Sequence, residues 1–427
     1  MVSRSLRSKA LSQTIHPPGT TRDRPKISFR WIAFILALSF TASACQIVNS
    51  APLTQSRVVT IGTLYAGSGA FESSSLPELE GLKFWIHEVN KRGGVYVRAY
   101  GGLATVNLVA LDDKSSPSLA RLLYRELITR YHVNLLVSDF GSVLTQPAIA
   151  MAQQHQMVLF DQSGTGSGFF LANDPFLVLC DLPTSQVWPL PLGKFLLRQM
   201  VKRVAIIYAS NPFDSAQDQT VSTVLTKAGL PPVANISVPT STTNYARYLR
   251  QIEPLKPKAV IEFGYFNNDV AFLNQIYHTP LDEALRFTAF PGQLLSDFIG
   301  RVPPQALAGT FTYNFPPSLR YRTTNSGLDT QRFDEIFMAW SKHPPNFLDV
   351  AGYNTGLIIQ ASLQHATDDT QLGIRAALNS ISGHLNTLEG TFEIDSSGAQ
   401  LGESLPIAKI LYRHRTENFM SLKTVYP

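Results

Sequence analysis

Residues Val58 to Gly94 constrain the fold more than any other stretch. The apolar run Val58-Val59-Thr60-Ile61-Gly62-Thr63-Leu64 reads as a buried strand. Small residues follow, Ala66-Gly67-Ser68-Gly69-Ala70, then Phe71-Glu72-Ser73-Ser74-Ser75. Pro77 stands where helices favour proline, at their start. Leu79, Leu82, Ile86 and Val89 then recur at three- and four-residue spacing, which gives one apolar helical face. Gly93-Gly94 supplies a left-handed stop. The unit is strand, Gly/Ser loop, helix, stop. Loops leaving the carboxyl ends of such strands are where open α/β sheets bind ligands. On these residues alone, something small and polar fits at Gly67 to Ser75.

The same alternation continues. Thr105–Leu111 reads as a strand that ends at Asp112-Asp113, and Leu119, Leu122, Leu123 and Leu127 give the next helix its apolar face. Val133–Val137 and Met157–Phe160 read as strands around a helix at Thr145–Gln154. Beyond Pro183–Ser185 the pattern repeats, with strands at Val204–Tyr208, Val233–Ser237 and Ala259–Phe263 between helices. Val270–Tyr277 and Phe287–Phe290 extend that half. Arg332–Ser341, Leu348–Gln364 and Leu372–Ser380 read as helices, and Ile407–Tyr412 as a last strand. Such alternation predicts parallel sheets with helices on both faces.

The net charge of +5 is misleading. Residues 1–44 carry seven Arg and Lys against Asp23, so the remainder is close to neutral and slightly acidic. A nucleic-acid partner has no basic surface to rest on. Trp31–Phe40 is an uninterrupted apolar run behind that basic flank. It is shorter than the ~20 residues a bilayer span needs, and it fits the apolar region of an export signal. Ala42-Ser43-Ala44 before Cys45 resembles a bacterial lipobox, with Cys45 lipidated, although Ala42 replaces the usual Leu. The same three residues also form an A-x-A site for ordinary cleavage and soluble export. The other cysteine, Cys180, reads as a small apolar core residue, and two cysteines make neither a disulfide scaffold nor a structural zinc site.

Enzyme signatures are absent from the sequence: no G-x-S-x-G, no G-x-x-x-x-G-K-[ST], no H-E-x-x-H. The nine histidines are scattered. The run Gly164-Thr165-Gly166-Ser167-Gly168 lacks the following lysine of a phosphate loop. Asp112-Asp113 and Asp368-Asp369 read as loop and cap residues. No cofactor or metal is expected. A stronger signal is small polar residues after successive strands: Asp139-Phe140-Gly141-Ser142 leading into Thr145-Gln146-Pro147, then Ser163-Gly164-Thr165. Hydroxyls and free N–H groups at helix starts suit a carboxylate. Simple helix capping explains the same residues.

Ile61-Gly62, Ser68-Gly69, Gly81-Leu82-Lys83, Glu88-Val89-Asn90 and Gly93-Gly94-Val95 together resemble the opening of type 1 periplasmic binding proteins of the branched-chain amino acid (Leu/Ile/Val) class, with Ala66 in place of the usual Pro. Asp112-Asp113-Lys114-Ser115-Ser116-Pro117 and Thr391–Asp395 with Ser397-Gly398 continue the likeness to about Tyr412. The resemblance implies an α/β fold of two Rossmann-like lobes joined by a three-crossing hinge. It implies lobes at 58–183 with 311–388 and at 184–310 with 389–427, after an export signal at 1–44 and a tether at 45–57. It also implies a monomeric binding protein, not an enzyme, that delivers a small-molecule ligand to an ABC permease from a lipid anchor in the periplasm. By the family's pattern Ser142 binds the ligand carboxylate. Ser163 and Thr165 contact the ligand, Tyr265 of Gly264-Tyr265 lines the pocket from the second lobe, and Glu72 and Ser73 reach it from the first loop.

Two departures bear on the ligand. Pro291 falls where relatives place the acid that pairs with an amino-acid ammonium, and Ser185 replaces another acid. A buried ammonium without a paired acid is costly. Glu262 and Asp181 are the candidate substitutes. The ligand class therefore stays open among amino acids, amides and small carboxylates. A non-transport sensor or a cell-envelope regulator remains the alternative.

Overall fold

The computed structural model describes residues 57–171, 174–180, 182–321, 324–414 and 418–427. The export segment, Cys45 and Asp181 lie outside the described residues.

The first lobe starts with β1 (Val58–Tyr65), α1 (Glu72–Lys91), β2 (Val95–Val97), β3 (Gly102–Asp112) and α2 (Pro117–Thr129). It continues with β4 (Leu135–Val137), α3 (Gly141–His155), β5 (Leu159–Asp161) and β6 (Leu177–Leu179). The strand order is β2-β3-β1-β4-β5-β6, parallel except for the edge pair β2–β3. The second lobe runs through α4 (Leu190–Arg198), β7 (Val204–Ala209), α5 (Pro212–Lys227), β8 (Ala234–Val238), α6 (Ala246–Ile252), β9 (Ala259–Phe263) and α7 (Phe266–Ile276). It then has β10 (Leu285–Phe287), the short helices α8 (Leu295–Phe298) and α9 (Pro304–Leu307), and β11 (Phe311–Tyr313). The chain then supplies α10 (Thr330–Ser341), α11 (Phe347–His365), α12 (Gln371–Ile381) and a hairpin of β12 (Leu385–Thr387) and β13 (Gly390–Phe392). β14 (Ile407–His414) and β15 (Asn418–Tyr426) finish the second sheet, ordered β15-β14-β11-β10-β9-β7-β8. Both sheets carry the parallel cores that the alternation implies.

Several expectations need correction. α1 begins at Glu72, so Pro77 lies inside the helix rather than at its start. In α2 the buried stripe is Ala120, Tyr124 and Leu127, and Leu122 is exposed, because Tyr124 rather than a leucine fills the space under β4. α3 starts at Gly141, four residues earlier than expected, which puts Ser142 in a helical first turn. The segment at Phe311 is not the return to the first lobe: β11 bonds to β10 and β14 in the second sheet. Phe392 and Ile394, assigned by resemblance to the second lobe, pack in the first-lobe core with Leu385 and Phe337. β14 is not the last strand, since β15 pairs antiparallel along its length. Phe287 closes β10, and Phe290 opens a 3-10 turn instead of extending the strand.

Glycines set the closest contact in the first lobe. α1 and α11 approach until a Cβ at Gly81 would overlap the Asp349 carbonyl and one at Gly352 would overlap the Glu78 carbonyl. This contact, with Trp85 against Gly356, covers one face of the first sheet. α2 and α3 cover the other with Tyr124, Leu127 and Met151.

Candidate ligand cleft

In each sheet the strand order reverses at one point, and such points are where α/β sheets form ligand crevices. In the first sheet the reversal lies at β1, between β3 and β4. In the second it lies at β7, between β8 and β9. The loops leaving β1 and β4 of the first sheet and β7 and β9 of the second lead into α1, α3, α5 and α7. Each of those helices opens on an aromatic ring. Phe71, Phe140 and Tyr265 are the N-cap residues of α1, α3 and α7, and Phe213 is the second residue of α5. Phe71 and Phe140 offer no capping side chain, where Ser, Thr, Asp or Asn would ordinarily satisfy the first amides.

The four rings meet in the cleft. Tyr265 stacks on Phe213 at 5.6 Å and 27°. Its edge meets Phe71 at 5.1 Å and Phe140 at 5.8 Å from the opposite lobe. Phe290 joins at 5.7 Å from Tyr265 and 6.1 Å from Phe140. Aromatic pairs at such separations add about 0.5–1.5 kcal/mol each beyond their burial. Asn267 Nδ2 also donates across the cleft to the Ala70 carbonyl at 3.0 Å. The remaining cavity, walled by Phe140, Gly141, Ser163, Trp188, Phe213, Tyr265, Phe290, Gln293, Phe347 and Leu348, is only about 10 Å³, roughly the space of one water. A larger cavity of about 480 Å³ adjoins it at Gln293 and Phe347, and one of about 260 Å³ lies beneath the starts of β1 and β4.

Polar groups converge at the start of α3. Gly141 has φ +73°, a backbone setting that favours glycine. Its N–H donates to Ser163 Oγ at 3.0 Å. A Cβ on Gly141 would lie 3.1 Å from the Tyr265 ring and 3.2 Å from its hydroxyl. That hydroxyl faces the Ser142 and Val143 amides and the Ser142 hydroxyl, yet it completes full hydrogen-bond geometry with none of them. Burial pushes the phenol well above its usual range, so Tyr265 is neutral. Ser142 Oγ accepts the Gly166 N–H at 2.9 Å. Ser185 Oγ donates to the Thr165 carbonyl at 2.9 Å, and the Thr165 hydroxyl is buried without a hydrogen-bond partner. Ser163 and Tyr265 thus line the cavity, with Ser142 and Thr165 one layer behind. Glu72 is exposed and Ser73 half-buried on the outer side of α1, and neither lines the cavity. Starting the helix at Glu72 turns Ser74 and Ser75 inward instead.

No acidic side chain lines this cavity. Pro291 is buried in the Phe290–Gly292 turn. Glu262 accepts from the Tyr245 hydroxyl at 2.7 Å and packs against Asp269, whose other oxygen accepts the Phe290 amide at 2.8 Å. Glu262 is therefore engaged behind the cleft wall. Beneath α3 lie further carboxyls. Asp139 accepts from Ser75 Oγ at 2.5 Å and pairs with Asp113, and burial raises both above the usual carboxylate range. Asp161 accepts the Gly164 amide at 2.7 Å and the Ser138 hydroxyl at 3.0 Å. Asp113, expected to be a loop residue, is thus fully buried. The aromatic wall also escaped the sequence reading, apart from Tyr265. Its one linear signal is an aromatic directly after, or two residues into, a strand-to-helix turn.

The family profile described as periplasmic binding protein matches residues 58–413. The chain belongs to the periplasmic binding protein family. The fold of this periplasmic binding protein is shared with solved structures at low identity. A solute-binding protein of an ABC transporter from R. palustris, in complex with benzoate, aligns at TM-score 0.70 with 17% identity, over 87% of this chain and 97% of that one. A leucine-binding protein from Thermotoga maritima aligns at 0.73 with 13% identity, over 86% and 98%. A branched-chain amino acid binding protein from Streptococcus pneumoniae, in complex with isoleucine, aligns at 0.69 with 16% identity, over 87% and 100%. Among the described residues no helix is long and apolar enough to cross a membrane, and no cluster of three or more His, Cys, Asp or Glu is placed to hold a metal ion.

Proposed function

We propose that this chain is the extracytoplasmic solute-binding component of an ABC importer, held at the membrane through Cys45. It takes a small carboxylate without an ammonium group between its lobes and delivers it to a permease, with no covalent step. The observation that carries this reading is the start of α3: the Ser142 and Val143 amides and the Ser142 and Ser163 hydroxyls gather beneath Tyr265 where the two strand-order reversals face each other. Amide and hydroxyl donors stabilise an anion there without a cation. The apolar walls and the absence of a lining acid disfavour a zwitterion. The family and the benzoate-bound neighbour are in keeping with such a ligand. A thermal-shift screen of carboxylates, amides and amino acids tests it. A ligand at a hundredfold excess over its Kd stabilises the folded state by about 2.7 kcal/mol. A carboxylate should shift the melting temperature, and a preference for α-amino acids would refute the ammonium argument.

A second reading is favoured by one observation, the cavity of only about 10 Å³. A cleft filled by the protein's own rings suits a sensor or cell-envelope regulator that binds protein rather than solute. A flat screen on folded protein selects that reading.

A further inference from the structure

The ring that fills the cleft is a phenol, and its oxygen points at the start of α3. Tyr265 belongs to the second lobe, but its ring edge rests on Phe71 and Phe140 of the first, and its hydroxyl lies against Gly141 and Ser142. It is 4% exposed, and the oxygen has no completed hydrogen bond. Such a group is ordinarily partnered. Here a flat aromatic body lies in a cage of rings, with its polar end over backbone amides that no side chain of their own helix caps.

Those features describe a small aromatic acid as well as they describe Tyr265. We infer that the Tyr265 side chain is a tethered stand-in for the ligand, and that the ligand is an aromatic monocarboxylate which displaces the ring and puts its carboxylate where the hydroxyl lies. The inference rests on the cleft being a solute site, and it reconciles that reading with the small cavity. With the lobes closed, the protein fills the cleft with its own ring. When the lobes part, Tyr265 withdraws with the second lobe and uncovers the amides of α3 on the first. A carboxylate binds those amides far better than a neutral phenol does, because it brings full negative charge to the positive end of the helix. Displacement of Tyr265 is a competition, so the observed affinity is the intrinsic affinity reduced by the fraction of protein with the ring out of place.

Two rival roles for Tyr265 predict opposite outcomes. If it is a wall that contacts the ligand, removing it weakens binding. If it is a stand-in, removing it strengthens binding. The test is calorimetric titration of benzoate, phenol and acetate into the purified protein and its Tyr265→Ala variant. The expected result is benzoate binding at least tenfold tighter in the variant, with phenol newly bound and acetate weak in both. Tyr265→Phe keeps the ring in the cage and should leave the benzoate affinity within about threefold of wild type. Equal or weaker benzoate binding by Tyr265→Ala overturns the stand-in and leaves the solute-binding reading in place. Binding of aliphatic but not aromatic carboxylates overturns the ligand class. No binding of any carboxylate by either protein overturns both readings. If Tyr265→Ala does not fold, a crystal structure of the wild type with benzoate decides: the ring turned out with the carboxylate on the Ser142 and Val143 amides supports the inference, and a ring still in place refutes it.

Discussion

Ser142 Oγ accepts the Gly166 amide at 2.9 Å, which ties the first turn of α3 to the loop after β5. The residue that the family's pattern assigns to the ligand therefore also holds the site together. Ser142 does not cap α3, since its hydroxyl accepts from another loop, and its proton remains available to donate.

Replacing Ser142 by Ala should cost stability as well as affinity. The Gly166 amide is left buried without its acceptor, which costs about 1–3 kcal/mol. Denaturant unfolding of Ser142→Ala checks this, with loss of carboxylate binding as the second readout. Unchanged affinity would remove Ser142 from the site.

Gly141→Ala should open the lobes. A left-handed backbone costs a non-glycine residue about 1–2 kcal/mol, and the new methyl would press on the Tyr265 ring, which lies 3.1 Å away. The expected result is a lower melting temperature and a larger radius of gyration by small-angle scattering. Combining it with Tyr265→Ala should restore the radius, because the methyl then meets empty space.

Gly352→Ala tests the packing of the first lobe apart from the cleft. The methyl would overlap the Glu78 carbonyl on α1, and overpacking of this kind costs typically 1–3 kcal/mol or more. Thermal unfolding should show a marked loss, whereas Gly102→Ala, with open space around its Cβ position, should not.

Stability should fall as pH rises from 5 to 9. Burial raises Asp139 and Asp161 to about 6, Glu262 to about 7, Asp349 to about 8 and Asp113 to about 9. A carboxyl raised in the folded state binds more protons there than in the unfolded chain. Its stabilising contribution is complete below the unfolded pKa, near 4, and is lost as pH climbs through the folded value. The melting temperature should therefore decline across that window. Asp161→Asn should flatten the slope between pH 5 and 7, and an unchanged slope would show that Asp161 is not among the titrating groups.

Sequence and structure divide the work along a physical line. Strand and helix periodicity is local, so Val58 to Leu64, the apolar stripe of α1, and the βα alternation of both lobes were legible from the chain alone. So were the Gly93-Gly94 stop, with φ of +97° and +107°, and the small polar residues after β4 and β5. Helix starts were less legible: Glu72 and Gly141 begin helices without a capping side chain, so the usual signal is missing. Three-residue strands such as β2 and β6 carry no period to read. Apart from Tyr265, the aromatic cleft was not legible, because Phe71, Phe140, Phe213 and Phe290 are distant in sequence and share no spacing. Only the approach of two separately folded sheets, each delivering its strand-order reversal to the same place, brings those rings together. Sequence determined which residues stand at the strand ends; tertiary structure decided that a tyrosine from one lobe lies over the start of α3 in the other.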